Sequence, residues 1–174
     1  MGISKADKSD IPALVALLDS AYRGDFSKNG WTSEAELFIG SKRTDEPTIT
    51  ELMNRPTAAF LKYVDENGEI KACVLLNKKN NRLYLGMLSV SPSMQGTGIG
   101  KKILKAAESY ATENDCNSIF MTVISIRTEL INWYEKLGYK ISGDPIPFPL
   151  DERFGIPKQP LEMVVMEKRL NLVE

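Results

Sequence analysis

The sequence predicts an α+β fold of three layers, in which helices cover both faces of a mixed, mostly antiparallel central sheet. Three strand-like runs follow one another from Ala58, Ile70 and Arg82, with only short turns between them. Two helix-like segments then alternate with two further strand-like runs. The chain has 174 residues, 43% of them hydrophobic and 26% charged, which suits one domain spanning residues 1–174.

The first predicted helix begins near Ile11, with Asp10 or Ser9 as its N-terminal cap. Its apolar positions recur at helical spacing and are Leu14, Val15, Leu18 and Tyr22. The next segment mixes polar, aromatic and glycine residues and contains two short helical patterns, at 33–39 and 48–53. We expect this segment to cover the sheet rather than to form part of it.

The three consecutive strands are expected to pair antiparallel, because Asn67-Gly68 and Asn80-Asn81 suit tight hairpin turns. A helix follows from Ile99 to about 114, then a strand at 117–124, a helix that ends at Gly138, and a last strand at 161–170. A helical crossover makes the strand after it parallel to the strand before it. These two neighbours, the fourth and fifth strands of the fold, should splay apart where the helix departs.

Composition excludes several classes of function. The net charge of −1 gives no general attraction to nucleic acid or to an acidic membrane, and no apolar run is long enough to span a bilayer. The chain has no histidine, so it lacks the commonest general base and the commonest zinc ligand, and we expect no metal site. Cys73 and Cys116 are expected to be buried thiols. A cytoplasmic location is the default expectation.

The stretch "QGTGIGKK" places Gly96, Gly98 and Gly100 between a strand and a helix. Unpaired N–H groups at the start of that helix would form an anion site suited to a phosphate or pyrophosphate. A Walker A loop would need glycine at Gln95 and Ser or Thr at Lys102, and a dinucleotide fingerprint would need a further glycine, so both fail. A simple flexible turn would need only one or two glycines.

Two motifs carry a family resemblance. The run from Gln95 to Gly100 resembles the Q/R-x-x-G-x-G/A signature of the GCN5-related N-acetyltransferases (GNAT), and "NWYEKLGY" resembles that family's second motif. The stretch around "WTSEAELFIGSKRTD", with the later "RTEL" and "PFP", is similar to a subgroup that has a W-T-x-E-A segment. The element order agrees over nearly the whole chain.

The resemblance implies acetyl-coenzyme A as the acetyl donor. Amides of the glycine stretch would cradle its pyrophosphate, and free main-chain groups at the splayed strand edge would pair with the pantetheine arm. The N–H of Leu88 would stabilise the oxyanion. Many family members have Asn where this chain has Arg127, which leaves the kind of polar contact there open. The predicted donor-binding residues are Leu88, Ser89, Val90, Gln95, Gly96, Thr97, Gly98, Ile99, Gly100, Lys101 and Arg127.

The resemblance also implies direct attack of an acceptor amine on the thioester, without an acyl-enzyme. Tyr134 matches the family tyrosine that returns a proton to the departing sulfur, although its place in the apolar stripe also suits a core residue. The base is a carboxylate acting through water, for which Glu34 and Glu36 are the candidates and Glu34 is preferred, or bulk solvent. Trp31, Glu36 and Arg43 are predicted on the acceptor side, while a capping box at Glu36 or a Glu36–Arg43 salt bridge would be an ordinary explanation.

The leading hypothesis is an acetyl-coenzyme A dependent N-acetyltransferase whose acceptor is a primary amine on a small molecule or a peptide. The alternatives are a non-catalytic acyl-coenzyme A sensor and a regulatory protein with a vestigial cleft. A sensor would be stabilised by the donor but would release no thiol. The sequence leaves the acceptor and the oligomeric state open, a homodimer included.

Overall fold

The structure is a computed structural model that describes residues 2–22, 37–39, 43–149 and 156–170. The helices are α1 (Ile11–Tyr22), α2 (Glu46–Met53), α3 (Ile99–Glu113) and α4 (Thr128–Lys136). The strands are β1 (Gly2–Lys5), β2 (Phe38–Ile39), β3 (Ala58–Val64), β4 (Ile70–Lys79), β5 (Arg82–Val90), β6 (Ser118–Ile124), β7 (Lys140–Ile141), β8 (Ile146–Pro147), β9 (Ile156–Pro157) and β10 (Glu162–Arg169). None of these helices has the length and hydropathy that a membrane span requires.

The main sheet confirms the predicted fold class. Its described strands run in the order β1-β3-β4-β5-β6-β10-β7, and β8 also pairs with β10. Every registered pair is antiparallel except β5 with β6, which are parallel because α3 forms the crossover between them. A separate two-stranded sheet joins β2 to β9.

The parallel pair splays apart, as predicted. In the part of the chain that the structure describes, β5 and β6 are in register only from Arg82 opposite Ser118 to Tyr84 opposite Phe120. On the other side of β5, the register with β4 shifts between Cys73 and Leu75, and this bulge bends β5. The C-terminal half of β5 therefore leaves β6, and a wedge opens between the two strands.

The core lies on both faces of the sheet. On one face, α1 and α2 pack against alternate residues such as Phe60 and Leu75. On the other face, α3 and α4 pack against the intervening residues such as Leu61 and Val74. Strand side chains alternate between faces, so the continuous apolar run of β4 is explained by burial on both sides.

The start of α1 differs from the prediction. Neither Ser9 nor Asp10 caps the helix directly. Residues Lys8–Asp10 form a 3-10 turn that leads into α1, and Asp7 caps that turn by accepting a hydrogen bond from the N–H of Ser9 at 2.9 Å. The carboxylate of Asp10 accepts from the N–H of Asp7 at 2.9 Å, which completes a capping box.

The predicted helix at 33–39 is wrong over its last two residues, because Phe38 and Ile39 form β2 and pair with Ile156 and Pro157. Residues 33–36 lie outside the described residues. The sequence pattern did not predict β1 or the two-residue strands β7 and β8 of the main sheet. Strands this short carry too few residues for an alternating pattern to be recognised.

Candidate active site

The glycine stretch forms the N-terminus of α3. Gly96 and Gly98 have φ angles of 83° and 87°, the left-handed region that glycine adopts readily. The first hydrogen bond of the helix runs from the N–H of Lys102 to the carbonyl of Gly98 at 3.1 Å. Gly98 is the N-terminal cap residue and, as a glycine, provides no side chain to accept from the first N–H groups. The N–H groups of residues 99–101 precede that bond and so lie outside the helical ladder, where they can donate to an anion.

Gly100 serves close packing rather than the turn. A Cβ atom at this position would lie 3.4 Å from the Trp133 ring and 3.8 Å from a methyl group of Val90. A longer side chain would therefore push α3 away from α4 and from the end of β5. Gly100 thus has a packing role in the fold, and its predicted role, to let the backbone approach a ligand, stays a prediction.

A cleft of about 840 Å³ opens between the start of α3, the end of β5 and α4. All eleven residues predicted to bind the donor line this cleft. They come from the strand edge, the glycine loop and the residue before α4, so the fold brings together three segments that are separate in sequence. Their contact with a donor stays a prediction.

The edge of β5 differs from the expectation in one respect. The predicted free carbonyls of Leu88 and Val90 are engaged, by the Tyr22 hydroxyl and by Nε2 of Gln95, the latter at 3.1 Å. Ser89 pairs with Cys73 of β4. Both carbonyl partners are side chains, so a ligand that pairs with this edge would have to displace or bridge them.

A second cavity of about 310 Å³ lies between β5 and β6. Its described lining includes Arg43, Tyr84, Phe148 and residues 121–124 of β6. Five residues line both this cavity and the cleft: Tyr22, Leu88, Arg127, Leu130 and Tyr134. The cleft and the second cavity therefore adjoin at the bulge of β5 and at Tyr134 of α4.

Tyr134 stands at this junction and is 5% exposed. Burial raises the pKa of its phenol well above the ordinary value of 10, and the neighbouring phenols of Tyr22 and Tyr139 raise it further, while Arg127 opposes them. The hydroxyl is therefore protonated throughout the neutral range. Its ring also packs edge-on against Trp133 and Tyr139, with centroids 5.1 and 5.7 Å apart, so the packing role and the site position occur together.

Tyr22 is a site residue that sequence reasoning missed. Its helical spacing places it on the apolar face of α1, but it is the last residue of that helix and lines both cavities. Its hydroxyl donates to the carbonyl of Leu88, 66 residues away in sequence. A tyrosine at the end of an apolar stripe is a weak signal, since the polar end of its ring needs a partner.

The predicted acceptor-side residues are only partly described. Arg43 lines the second cavity, and its guanidinium lies 5.3 Å from the centroid of the Tyr22 ring. Trp31, Glu34 and Glu36 lie outside the described residues. Arg127 is 4% exposed, and its guanidinium lies 5.9 Å from the same centroid.

Residues 18–139 match the model of the acetyltransferase (GNAT) family. Among curated proteins, the chain is 29% identical over 69 residues to a spermine/spermidine N(1)-acetyltransferase of Bacillus subtilis, a match that covers 39% of this chain and 45% of the relative. It is 31% identical over 124 residues to an amino-acid acetyltransferase of Ralstonia nicotianae, covering 70% of this chain and 26% of the relative. The chain thus spans less than half the length of these curated relatives.

Solved structures share the fold at low sequence identity. The ribosomal-protein-S18-alanine N-acetyltransferase from Escherichia coli superposes with a TM-score of 0.71 at 14% identity, covering 99% of this chain and 95% of that one. The structure of yncA from Salmonella typhimurium with its cofactor acetyl-CoA gives a TM-score of 0.69 at 18% identity, covering 100% and 96%. Ard1 from Thermoplasma volcanium gives 0.73 at 15% identity, covering 98% and 97%.

Proposed function

Because the chain belongs to the acetyltransferase (GNAT) family, we propose that it transfers the acetyl group of acetyl-coenzyme A to a primary amine in a ternary complex. The observation that carries the proposal is the junction at Leu88 and Tyr134, where the cleft behind the glycine loop meets a second cavity. Two substrates that enter from the two sides would meet there, which direct transfer requires. Curated relatives of the chain are named for acetylation of polyamines and of amino acids.

The cleft fits the donor chemically. Its phosphate end would meet the N–H groups of residues 99–101, with the positive end of the α3 dipole behind them and the exposed Lys101 nearby. The two left-handed glycines keep side chains away from this surface, since a Cβ at Gly96 or at Gly98 would meet no described atom within 4 Å. The loop therefore leaves room for a phosphate group against the backbone.

When bound, acetyl-coenzyme A supplies the activated thioester. The acceptor nitrogen then forms its bond to the acetyl carbon while the carbon–sulfur bond breaks. The N–H of Leu88, in the bulge of β5, would stabilise the negative charge that develops on the carbonyl oxygen. The phenol of Tyr134, which is neutral at pH 7, would donate its proton to the departing sulfur as the carbon–sulfur bond breaks.

The proton lost by the acceptor amine needs a separate acceptor. Among the described residues that line the second cavity there is no carboxylate. Glu34 stays the predicted base, acting through water, with Glu36 or bulk solvent as the alternatives. The identity of this base does not affect the role of Tyr134, because the base takes a proton from the amine whereas Tyr134 gives a proton to the sulfur.

Thermal-shift titration with acetyl-coenzyme A, combined with thiol release across a panel of amines, tests the proposal. We expect donor binding to raise Tm and at least one amine class to release thiol. A shift without release for any amine would instead support a non-catalytic acyl-coenzyme A sensor. The absence of any shift at saturating donor would contradict the assignment of the cleft.

The variant Tyr134→Phe tests the acid. We expect kcat to fall by about 10²–10⁴-fold, the usual contribution of a positioned acid or base, with an unchanged Kd for the donor. Tyr139→Phe is the matched control, because Tyr139 is 2% exposed, lines neither described cavity, and has a hydroxyl with no hydrogen-bond partner among the described residues. Equal kcat values for the two variants would remove Tyr134 as the acid.

A further inference from the structure

The second cavity carries a positive charge on its described wall. The ionisable side chains in that lining are three tyrosines and two arginines, namely Tyr22, Tyr84, Tyr134, Arg43 and Arg127. The described part of the lining contains no Asp, Glu or Lys. The described part of the wall thus bears two cationic side chains and no anionic one.

The two guanidinium groups lie close to the same aromatic ring. Arg43 and Arg127 lie 5.3 and 5.9 Å from the centroid of Tyr22, within the range of a cation–π contact. Both arginines make other contacts within the protein, and Nε of Arg127 lies 3.8 Å from Oε1 of Glu129, a carboxylate that is not part of the described lining. An anion bound in the cavity within reach of both guanidinium groups would be stabilised by each of them.

The backbone of this region holds Arg43 in place. Oδ1 of Asp19 accepts hydrogen bonds from the N–H groups of Arg43 and Thr44, the second at 3.2 Å. Thr44 is buried, and α2 begins three residues after Arg43. Arg127 is 4% exposed and lies directly before α4. The backbone at both arginines is thus held close to the start of a helix, which favours a preorganised anion subsite.

The remainder of the described lining is mostly apolar. Met121, Val123, Met163 and Phe148 contribute to it, and the volume of about 310 Å³ is at the small end of the range for ligand pockets. The space suits one small molecule with an apolar portion. A polyamine would place its additional positive charges against the two arginines.

We propose that the acceptor is a small amino carboxylic acid with an apolar side chain, whose carboxylate is bound by Arg43 and Arg127 while its amine faces Leu88 and Tyr134. The inference rests on the proposed function, since it names the acceptor of that same site. Guanidinium groups bind carboxylates through charge-assisted, often bidentate hydrogen bonds, which fix the orientation of the amine. Arg43 is then a specificity-determining residue.

Matched acceptors test the proposal. Thiol release at saturating acetyl-coenzyme A is measured for leucine and leucinamide, methionine and methioninamide, and phenylalanine and phenylalaninamide, with spermine as a polycation. The amide keeps the size of the acid and removes its charge. The amine of an amino amide is less basic than the amine of the amino acid, so a larger fraction of the amide is unprotonated and able to attack. This difference favours the amide, and a preference for the acid would therefore be due to its carboxylate.

We expect the ratio of kcat/KM for acid over amide to be at least about 30, the factor that loss of one partner from a buried charge pair produces. In Arg43→Met this ratio should fall at least about tenfold, mainly through a higher KM for the acid, and Arg43→Lys should restore part of it. Donor Kd should stay unchanged. Arg55→Met is the control, because Arg55 is an exposed arginine that pairs with Glu51 and lines neither cavity.

Each contrary result has a distinct meaning. Amides or spermine used as well as the acids would overturn this inference and leave the acetyltransferase proposal standing. The same holds if Arg43→Met keeps the native ratio of acid to amide. The absence of thiol release with every amine in the panel would overturn the proposed function, and this inference with it. The native comparison between acid and amide holds even where a variant folds poorly.

Discussion

Gly98 precedes the first turn of α3 and has a left-handed backbone. Substitution of Gly98 by alanine tests the geometry of this turn, and substitution by glutamate tests in addition whether a negatively charged phosphate binds there. Its φ angle is 87°, and a Cβ atom there would meet no described atom within 4 Å. Both variants therefore have the same backbone cost, and the Cβ atom of neither would clash with a described atom. The two differ only in what they place in front of the N–H groups of residues 99–101.

The cost to stability follows from the φ angle. A residue other than glycine in the left-handed region loses about 1–2 kcal/mol. For a domain of this size, 1 kcal/mol lowers Tm by about 2–4 °C, so Gly98→Ala should lower Tm by roughly 2–8 °C. Gly98→Glu should lose slightly less, because a carboxylate near a helix N-terminus gains about 0.3–1 kcal/mol.

The cost to donor binding follows from Coulomb's law. A carboxylate about 5 Å from one phosphate charge opposes binding by about 3 kcal/mol at an effective dielectric constant near 20, or roughly 200-fold in Kd. Because Gly98 is exposed, water screens part of this repulsion, and we expect Gly98→Glu to bind at least about tenfold more weakly than Gly98→Ala. Salt should narrow the gap, since the Debye length falls from about 10 Å at 0.1 M to about 3 Å at 1 M.

Isothermal titration of acetyl-coenzyme A into the native protein and both variants, at low and high salt, measures these effects. The alanine variant shows how much the geometry of the turn contributes to donor affinity, and the glutamate variant shows the additional effect of a negative charge. If the two variants bind the donor within a factor of two of each other at low salt, the phosphate does not lie at the start of α3. The assignment of the glycine stretch would then be refuted.

Two further predictions concern stability. Burial raises the pKa of the Cys73 thiol from 9.0 to about 12, so its contribution to stability is fully present below pH 9 and is lost as the pH rises from 9 towards 12, by up to roughly 1.4 kcal/mol per pH unit. Urea unfolding at pH 8 and pH 11 should therefore show a smaller alkaline loss of stability in Cys73→Ala than in the native protein. Equal losses in the two proteins would contradict this pKa shift. Ile103→Ala, at a fully buried position of α3, should lower the free energy of unfolding by about 2–5 kcal/mol. Ile126→Ala, at a position that is 48% exposed, is the control and should stay within about 0.5 kcal/mol of the native free energy of unfolding. Similar urea midpoints for these two variants would show that α3 does not pack as described.

The longer elements were predictable because their signals are local. The three consecutive strands could be recognised from alternating or continuous apolar runs, and the turn residues at Asn67 and Asn80 indicated their antiparallel order. Cys73, which lies in an apolar run, and Cys116, which follows the helix α3, are both buried as expected. The same local signals were misleading at Phe38 and Ile39, where pairing with a strand over a hundred residues away overrides a helical pattern.

The side chains at the junction were less predictable. Tyr22 has the spacing of a core residue of α1, and nothing near it in sequence indicates that its hydroxyl reaches Leu88. The engaged carbonyl of Val90 likewise depends on how the loop after β5 places Gln95. Both contacts depend on the packing of elements and leave no periodic signal in the chain.

The amino-acid sequence by itself determined the glycine stretch, the helix that follows it and the strand before it, because a left-handed turn and a helix N-terminus depend on only a few adjacent residues. The tertiary structure alone decided that two cavities meet at Leu88 and Tyr134, and that Arg43 and Arg127 lie around one tyrosine ring. The physical reason is that burial, the pKa of a phenol and the charge of a cavity wall depend on groups brought together from distant parts of the chain. Their positions follow from how the helices pack on a splayed sheet.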